Sequence, residues 1–574
     1  MSELLEDVLD YEPVVLKFGT SGRRGRVVDL TQLEIYINAL AELRYLASLP
    51  KAEGGIVAGE DFYFGMDLRP SSAAPVAAYE GRGGIAQAVV QAIRDAGLVP
   101  VNLGKVPTPA VMAFAVARHC GSMMVTGSHI PFDRNGYKTN RSIGELLKTD
   151  EGPVNEWVQR TRREILKTPA SESLFDRSGM LKPGGAPMPE VCGKGAKAYR
   201  ERYLDFLPKG VLEGKRIVVY QHSAVGRDML VDLLKSLGGE VVPKGRSETF
   251  VPIDTENIDQ SILERIQGFV DEVEAETGPV DVVVSTDGDS DRPLILGVDR
   301  DRQGSGRVRF YGGDLVGMVV ADWLQADGIV VPISCNDAID LGDLSKALEP
   351  KTRIGSPFVI QGMDAALSKG LTCVCGWEAN GGFLTGSKIE RAGATLPALP
   401  TRDAFLPILA VLAAAFERDV SISTLFERLP KRFSKAALLK EFPRPKSLAM
   451  IERLSPDRSV LELVFGDVTE VHWKPECHDG GNRHIDDEAA LAIKAAIEST
   501  FSSERGFGEV ARINYTDGVR IWFTNGDVAH IRPSGNADEL RIYAVADSQD
   551  RADAIAAAGV EEPNGILRSF EKGL

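Results

Sequence analysis

Val282-Val283-Val284-Ser285-Thr286-Asp287-Gly288-Asp289-Ser290-Asp291-Arg292 reads as a buried strand that runs directly into a loop. Three carboxylates alternate along that loop. They present hard oxygen ligands to a small divalent cation, with Mg2+ favoured where phosphate is the substrate. Aspartates this close repel one another unless a cation neutralises them, so a plain solvated turn is a poor account of the stretch. Two competing patterns fail on spacing. An EF-hand loop starting at Asp287 needs Gly at its sixth position and Glu at its twelfth, where Arg292 and Val298 stand. A strand-DxDx(T/V) phosphoryl-aspartate loop needs Thr or Val at the place of Asp291.

Outward from this loop, strand and helix periods alternate. Gly83 to Gly97 has a helical pattern, with Ile85, Val89, Val90 and Ile93 on one face, and the strand Leu98 to Leu103 follows. The helix Pro109 to His119 and the strand Ser122 to Val125 repeat the plan. A second unit takes in the strand Lys215 to Tyr220, the helix Arg227 to Leu237, the strand Glu240 to Val242 and the strand Asp281 to Ser285. A third has the helix Leu315 to Leu324, the strand Ile329 to Ile333, the helix Asp364 to Lys369, the strand Thr372 to Cys375 and the helix Ala404 to Arg418. Such alternation implies parallel sheets with ligands at the carboxyl ends of their strands. The last portion differs. Asp486-Asp487 caps a helix to Thr500, Asn525-Gly526 joins the strands Val519 to Phe523 and Val528 to Ile531, and the strand Leu540 to Val545 precedes the helix Arg551 to Ala558. The expected class is α/β. Three similar α/β domains with mixed, mostly parallel sheets (1–190, 191–308, 309–432) precede a C-terminal α+β domain (433–574). Pro-, Gly- and Ser-rich stretches at Thr168 to Lys194 and Lys431 to Lys446 read as connections.

Composition narrows the function. The 574 residues carry a net charge of −16, which argues against broad binding to nucleic acid or anionic membrane. The first residues are acidic where a secretory signal would be basic, and the longest apolar helix, Ala404 to Phe416, is too short to span a bilayer. Six scattered cysteines suit reduced thiols in a cytoplasm. The expectation is a cytoplasmic enzyme acting on a small molecule, with no nucleic-acid or membrane partner; oligomeric state is not legible.

Five further stretches are candidates to carry chemistry. Thr126-Gly127-Ser128-His129-Ile130-Pro131 follows a strand and displays Ser128 as a candidate nucleophile, with His129 or Lys138 to move protons. It lacks the GxSxG elbow of an acyl hydrolase. Gly376-Trp377-Glu378-Ala379-Asn380-Gly381-Gly382 offers a carboxylate and an amide to vicinal hydroxyls, with glycines for close approach. Arg532-Pro533-Ser534-Gly535-Asn536, with Arg541 beyond, forms a dianion receptor. Phe18-Gly19-Thr20-Ser21-Gly22-Arg23-Arg24-Gly25 and Gly65-Met66-Asp67-Leu68-Arg69-Pro70-Ser71-Ser72 are small, cationic stretches suited to an anionic site or to plain turns.

In this order the loops resemble the α-D-phosphohexomutase superfamily (phosphomannomutase/phosphoglucomutase). The matching motifs are Phe-Gly-Thr-Ser-Gly-x-Arg-Gly, Ser-His-x-Pro, Asp-Gly-Asp-x-Asp-Arg, Glu-x-(Ser/Asn)-Gly and Arg-Pro-Ser-Gly, and they span nearly the whole chain. The resemblance implies a TATA-box-binding-protein-like C-terminal domain and a Mg2+-dependent phosphohexomutase that interconverts hexose 1-phosphate and 6-phosphate, of mannose and/or glucose. Ser128 would be the phosphoserine, with hexose 1,6-bisphosphate as intermediate and activator. Ser128, Asp287, Asp289 and Asp291 would hold the metal. Glu378 and Asn380 would grip the sugar. Arg532, Ser534, Gly535, Asn536 and Arg541 would hold the phosphate that is not reacting, and Arg24, His129, Lys138 and Arg292 would surround the reacting centre. The chain departs from the family pattern at Gly127, Ile130, Asn380, Gly382 and Asn536-Ala537-Asp538. Gly382 stands where some members have His, which moves general acid/base work to Lys138 first and His129 second. The extra length is expected in Thr168 to Lys194 and Met450 to Arg483; the second stretch holds His472, Cys477, His478 and His484, whose spacing matches no standard Zn2+ site. Phosphoglucosamine mutase is the nearest alternative. A metal-dependent sugar-phosphate phosphohydrolase or a sugar-phosphate sensor would stand further off.

Overall fold

The computed structural model describes residues 3–19, 21–184, 187–256, 258–300, 304–474, 487–534 and 538–572. The chain divides into two compact units. One is Met1–Val330 with Gly355–Phe426, and the other is Val331–Ile354 with Glu427–Leu574.

The first unit holds three sheets of one plan. In the first sheet, Asp61–Met66 lies parallel between Val99–Lys105 and Ser122–Val125, and Arg134–Arg141 then runs antiparallel to Ser122–Val125. In the second, Arg216–His222 lies parallel between Glu240–Arg246 and Val282–Thr286, and Pro293–Arg300 returns antiparallel. In the third, Gly328–Val330 is parallel to Val374–Trp377, and Phe383–Thr385 returns antiparallel. Antiparallel pairing therefore has a larger share than helix–strand alternation implies, because each sheet is finished by strands joined through short turns rather than crossover helices. That detail has a functional consequence. The serine loop, the aspartate loop and the Glu378 loop occupy the same topological place, each turning from the last parallel strand into the first antiparallel one.

The first sheet is covered by the helices Gln32–Ser48, Ile85–Asp95 and Glu151–Leu166. Thr31 caps the first of these by accepting from the Glu34 N–H. Leu33, Ile37, Leu40, Val89 and Ile93 bury one apolar face against Phe62 and Phe64. Burial of each such side chain contributes about 1.5–3 kcal/mol, which fixes the sheet edge from which Ser128 projects.

Most expected elements stand within a few residues of their predicted bounds, and the differences have identifiable causes. The helix expected over Asp364 to Lys369 begins at Ser356, with Pro357 in its first turn and Val359, Ile360 and Met363 buried. The strand expected to reach Ile333 stops at Val330, before Pro332, which lacks an N–H for the ladder. The described residues of Thr168 to Lys194 are irregular up to the helix Lys194–Leu204 but are not a free connection: Thr168 accepts from Leu5 N, the Gln32 carboxamide accepts from Leu181 N, and Phe175 enters the core.

The second unit is built on a seven-stranded antiparallel sheet in the order Phe433–Leu439, Leu540–Ala546, Val528–Pro533, Val519–Phe523, Val510–Asn514, Val460–Phe465, Thr469–Trp473. Lys431 to Lys446, expected as a connection, contributes its outer strand Phe433–Leu439 and the start of the helix Arg444–Arg453. Ala437, Leu439 and Phe442 pack on the core, which gives the stretch an apolar side that its prolines obscure. The surplus near Met450 forms the hairpin Val460–Phe465/Thr469–Trp473. His472 is exposed on it, while Cys477, His478 and His484 lie outside the described residues.

The segment Val331–Ile354 is tied to this sheet. Arg520, fully buried, donates to the Ile333 and Cys335 carbonyls and to Asp337, and Trp522 Nε1 donates to Asp337 Oδ2 at 2.8 Å. Ile354 N donates to Asp517 Oδ2 at 3.0 Å. Among the described residues no helix is long and apolar enough to cross a membrane.

Candidate functional site

Ser128 is fully buried and has φ +53°, a left-handed backbone that a non-glycine residue adopts only when its surroundings impose it. Those surroundings are a buried cradle. Asp67 Oδ2 accepts from Thr126 Oγ1 (3.0 Å) and Gly127 N (3.2 Å), and Thr126 Oγ1 accepts from Ser128 N (2.7 Å). The Arg69 guanidinium donates to the carbonyls of Ser128 (3.1 Å), Ile130 and Arg134. It also explains Gly127, because a Cβ there would lie 2.6 Å from Arg69 Nε. The cradle aims Ser128 Oγ at Asp287 Oδ2, 3.0 Å away, with His129 Nδ1 at 3.3 Å on its other side.

The aspartate loop is held just as firmly. Asp287 Oδ1 accepts from the N–H groups of Asp291 (3.1 Å) and Arg292 (3.2 Å), and Ser290 takes φ +58°. Asp289 Oδ2 accepts from Thr108 Oγ1 (2.6 Å) and Lys138 Nζ (3.0 Å). Asp291 Oδ2 accepts from Lys138 Nζ (2.8 Å) and from Arg402 Nε (3.1 Å) and Nη2 (2.9 Å). Gly288 lets the two loops touch, since a Cβ there would meet the Ser128 carbonyl at 2.8 Å.

The three aspartates fit a divalent cation. Each offers one oxygen within 4.8 Å of the others, and Asp289 Oδ1 and Asp291 Oδ1 are buried with no hydrogen-bond partner. An acceptor in that state costs on the order of 1–3 kcal/mol, more when charged, unless something binds it. Burial, then the charges of Asp289 and Asp291, raise the Asp287 carboxyl well above its usual range. Asp289 and Asp291 are lowered although burial opposes it, Asp289 mainly through Lys138 and Asp291 through Arg402 and Lys138. Three carboxylates of which one is driven to keep its proton are what a dication relieves.

Cations ring the site. Arg24 Nε is buried without a partner, and burial, opposed first by Asp289, pushes its guanidinium down to about 10. Arg292 Nε lies 3.7 Å from Asp291 Oδ1. Glu378, buried, accepts from Arg402 Nη1 at 2.9 Å. Asn380 Oδ1 accepts from Gly382 N (2.9 Å), which leaves its amide N–H groups to offer. Arg24, Ser128, His129, Lys138, Asp287, Asp289, Asp291, Arg292, Glu378 and Asn380 all belong to the first unit.

Arg532, Ser534 and Arg541 belong to the second unit, and Gly535 and Asn536 lie outside the described residues. Arg532 and Arg541 stand directly opposite each other on neighbouring strands. Like charges so placed repel. Asp517 answers Arg532 Nε at 3.1 Å, and Glu539 answers Arg541 Nη2 at 3.4 Å. An anion between the two guanidiniums would add to that relief.

Residue patterns had not singled out roles for Asp67, Arg69, Thr108 and Arg402. Asp67 and Arg69 sit in a stretch that reads equally as a turn. The one available hint for Arg402 is a charged pair, Arg402-Asp403, placed against the entry of a wholly apolar helix.

A serine hydroxyl set on a carboxylate site for a hard cation and walled by guanidiniums defines a protein that handles phosphoryl groups. Three family models match the chain: phosphoglucomutase/phosphomannomutase alpha/beta/alpha domain I over residues 15–161, alpha/beta/alpha domain III over 312–433, and the C-terminal domain over 482–562. A phosphomannomutase from Sinorhizobium fredii is 34% identical over 560 residues, which cover 96% of this chain and 99% of that one. A phosphoglucosamine mutase from Rhizobium leguminosarum is 28% identical over 290 residues, 48% of this chain and 57% of that one. A phosphoglucomutase/phosphomannomutase family protein from Burkholderia thailandensis shares the fold, with TM-score 0.60 at 17% identity over 96% and 98% of the two chains. The chain belongs to the phosphoglucomutase/phosphomannomutase family, within the α-D-phosphohexomutase superfamily.

Proposed function

We propose that this protein is a phosphohexomutase that interconverts the 1- and 6-phosphates of mannose and/or glucose. The observation that carries the reading is Ser128 Oγ at 3.0 Å from Asp287, beside two carboxylate oxygens that lack donors. Phosphorylated Ser128 gives its phosphoryl group to the free 6- or 1-hydroxyl of the bound hexose phosphate. The P–Oγ bond breaks as the new P–O bond forms, and the hydroxyl proton leaves to a base. The resulting hexose 1,6-bisphosphate reorients and returns its other phosphoryl group to Ser128.

Asp287, Asp289 and Asp291, with an oxygen of the phosphorylated Ser128, would hold Mg2+, which supplies charge neutralisation at the transferring group. Arg24 and Arg292 stabilise charge on the equatorial oxygens, Lys138 and His129 serve proton movement, and Glu378 and Asn380 take sugar hydroxyls. Arg532, Ser534 and Arg541, with Gly535 and Asn536, hold the phosphate that is not reacting. Rigid placement supplies much of the catalysis, because a held near-attack geometry replaces a bimolecular encounter. In this reading the chain works as four domains (1–190, 191–308, 309–432 and 433–574) in the cytoplasm.

Near-complete coverage by a phosphomannomutase favours mannose over glucosamine. A phosphohydrolase would need no clamp such as Arg532 and Arg541. The test is the mass of the Ser128 peptide after incubation with glucose 1,6-bisphosphate and Mg2+, followed by addition of mannose 1-phosphate. Gain of a phosphoryl group by dephosphorylated protein is expected; mannose 1-phosphate should then take it up as mannose 1,6-bisphosphate, and Ser128 should carry a phosphoryl group again as mannose 6-phosphate appears. A Ser128 peptide that never carries a phosphoryl group refutes the mechanism.

A further inference from the structure

Arg402 is 3% exposed and grips two loops at once. Its Nε and Nη2 donate to Asp291 Oδ2 at 3.1 and 2.9 Å, and its Nη1 donates to Glu378 Oε2 at 2.9 Å. One rigid fork therefore joins a carboxylate of the cation site to a carboxylate of the sugar loop, a geometry that lysine cannot copy. Its stem lies across Gly382. A Cβ on Gly382 would stand 2.4 Å from Arg402 Cδ, 2.7 Å from Cγ and 2.9 Å from Cβ. Gly382 is not among the residues of positive φ, so glycine is needed there for room and not for backbone conformation. Lys138 shares Asp291 Oδ2 with Arg402, and Asp291 Oδ1 lacks a donor.

We propose that Arg402 is a positioning residue that couples cation binding to sugar binding, competing with the cation for Asp291 while holding the Glu378 carboxylate in its sugar-gripping orientation. The proposal rests on the mutase reading above. Coupling of this kind is reciprocal: whatever the cation does to the Arg402–Asp291 pair is felt at Glu378, and the sugar acts back on the cation site. It also assigns Gly382 a purpose, as the floor over which the guanidinium reaches both partners.

The experiment uses full-length, dephosphorylated protein, with Mn2+ affinity and mannose 6-phosphate affinity each measured by calorimetry. Arg402→Met removes a positive charge from Asp291 and the anchor from Glu378. Mn2+ should bind about tenfold tighter and mannose 6-phosphate about tenfold weaker, within the usual range of site-to-site coupling. A merely structural role moves both affinities down together, and that result overturns the proposal. Gly382→Ala provides the second variant, because it displaces the stem while keeping the charge. It should weaken mannose 6-phosphate binding on its own yet change it by less than about twofold when added to Arg402→Met, since groups in contact do not act additively. Full additivity of the two substitutions also overturns the proposal. Wild-type protein that binds Mn2+ and sugar phosphate while the variants fail the sign test refutes Arg402 alone; wild-type protein that binds neither refutes the mutase reading and the proposal with it.

Discussion

Arg520→Met tests whether Val331–Ile354 is built into the second unit. Arg520 is wholly buried, and its three acceptors are the Ile333 and Cys335 carbonyls and Asp337 Oδ1. Asp337 is held down to about 2 by Arg520 and then Lys351, although burial opposes this. Against its ordinary 3.8 that is a difference of nearly two pH units, or on the order of 2.5 kcal/mol of stabilisation. Methionine also removes a donor from two backbone carbonyls, so the whole loss should be about 3–5 kcal/mol, the usual cost of breaking a buried pair from one side. The sign with pH follows. A carboxylate with a depressed native pKa stabilises the fold above its unfolded pKa, and that contribution fades as pH falls through the native value. The deficit of the variant should therefore be full at pH 7 and smaller near pH 3. Amide hydrogen exchange of peptides across residues 331–354 reads it locally, which matters in a chain of two units where no single unfolding transition applies. Arg520→Met/Asp337→Leu should recover much of the protection by removing the stranded charge. Loss of less than about 1 kcal/mol in exchange protection, or an equal deficit at both pH values, would refute the reasoning, since the pair would then lack the strength expected of a buried one.

Three other outcomes are expected. Ser128→Ala should lower kcat by more than about 10⁴-fold in a coupled mutase assay and abolish phosphoryl incorporation, because no other group takes the place of the nucleophile. Asp289→Asn should weaken Mn2+ binding by about 100-fold or more, at least the loss seen for supporting residues of metal sites; an unchanged titration would remove Asp289 from the ligand set. Burial holds His222 down at about 4 and His530 at about 3, against an ordinary 6.5. A histidine kept neutral in the fold stabilises it fully above pH 6.5, and each should remove about 1.4 kcal/mol per pH unit as pH falls below that value toward its native pKa. Amide hydrogen exchange of peptides across the strand Arg216–His222 in His222→Gln, compared between pH 7 and pH 4, should show one such contribution missing.

The three chemical loops of the first unit were legible because each interrupts an apolar strand with residues that cannot be buried unpaired. Strand-then-carboxylate at Val284 to Asp291 and strand-then-serine at Val125 to Ser128 are local patterns, and local patterns survive in sequence. The shared turn from parallel to antiparallel pairing was not legible, since strand direction depends on partners far apart in the chain, as with Ile217 and Val282 in the strands Arg216–His222 and Val282–Thr286. Arg402 stayed hidden for a similar reason: its partners Asp291 and Glu378 lie 111 and 24 residues away, and an arginine beside an aspartate looks like any surface pair. The strand Phe433–Leu439 was obscured by its flanking prolines. Its pairing with Leu540–Ala546 shows burial against a distant strand overriding local turn chemistry.

The left-handed backbone at Ser128 sets stability and activity against each other at one position. A side chain there costs on the order of 1 kcal/mol that glycine would not incur. In a duplicate copy of this chain, freed from the need to turn over substrate, that backbone term would favour glycine at 128, and the buried Ser128 Oγ–Asp287 hydrogen bond would oppose it. A screen for heat resistance alone is therefore blind to the nucleophile, and improving this protein requires a selection that reads chemistry.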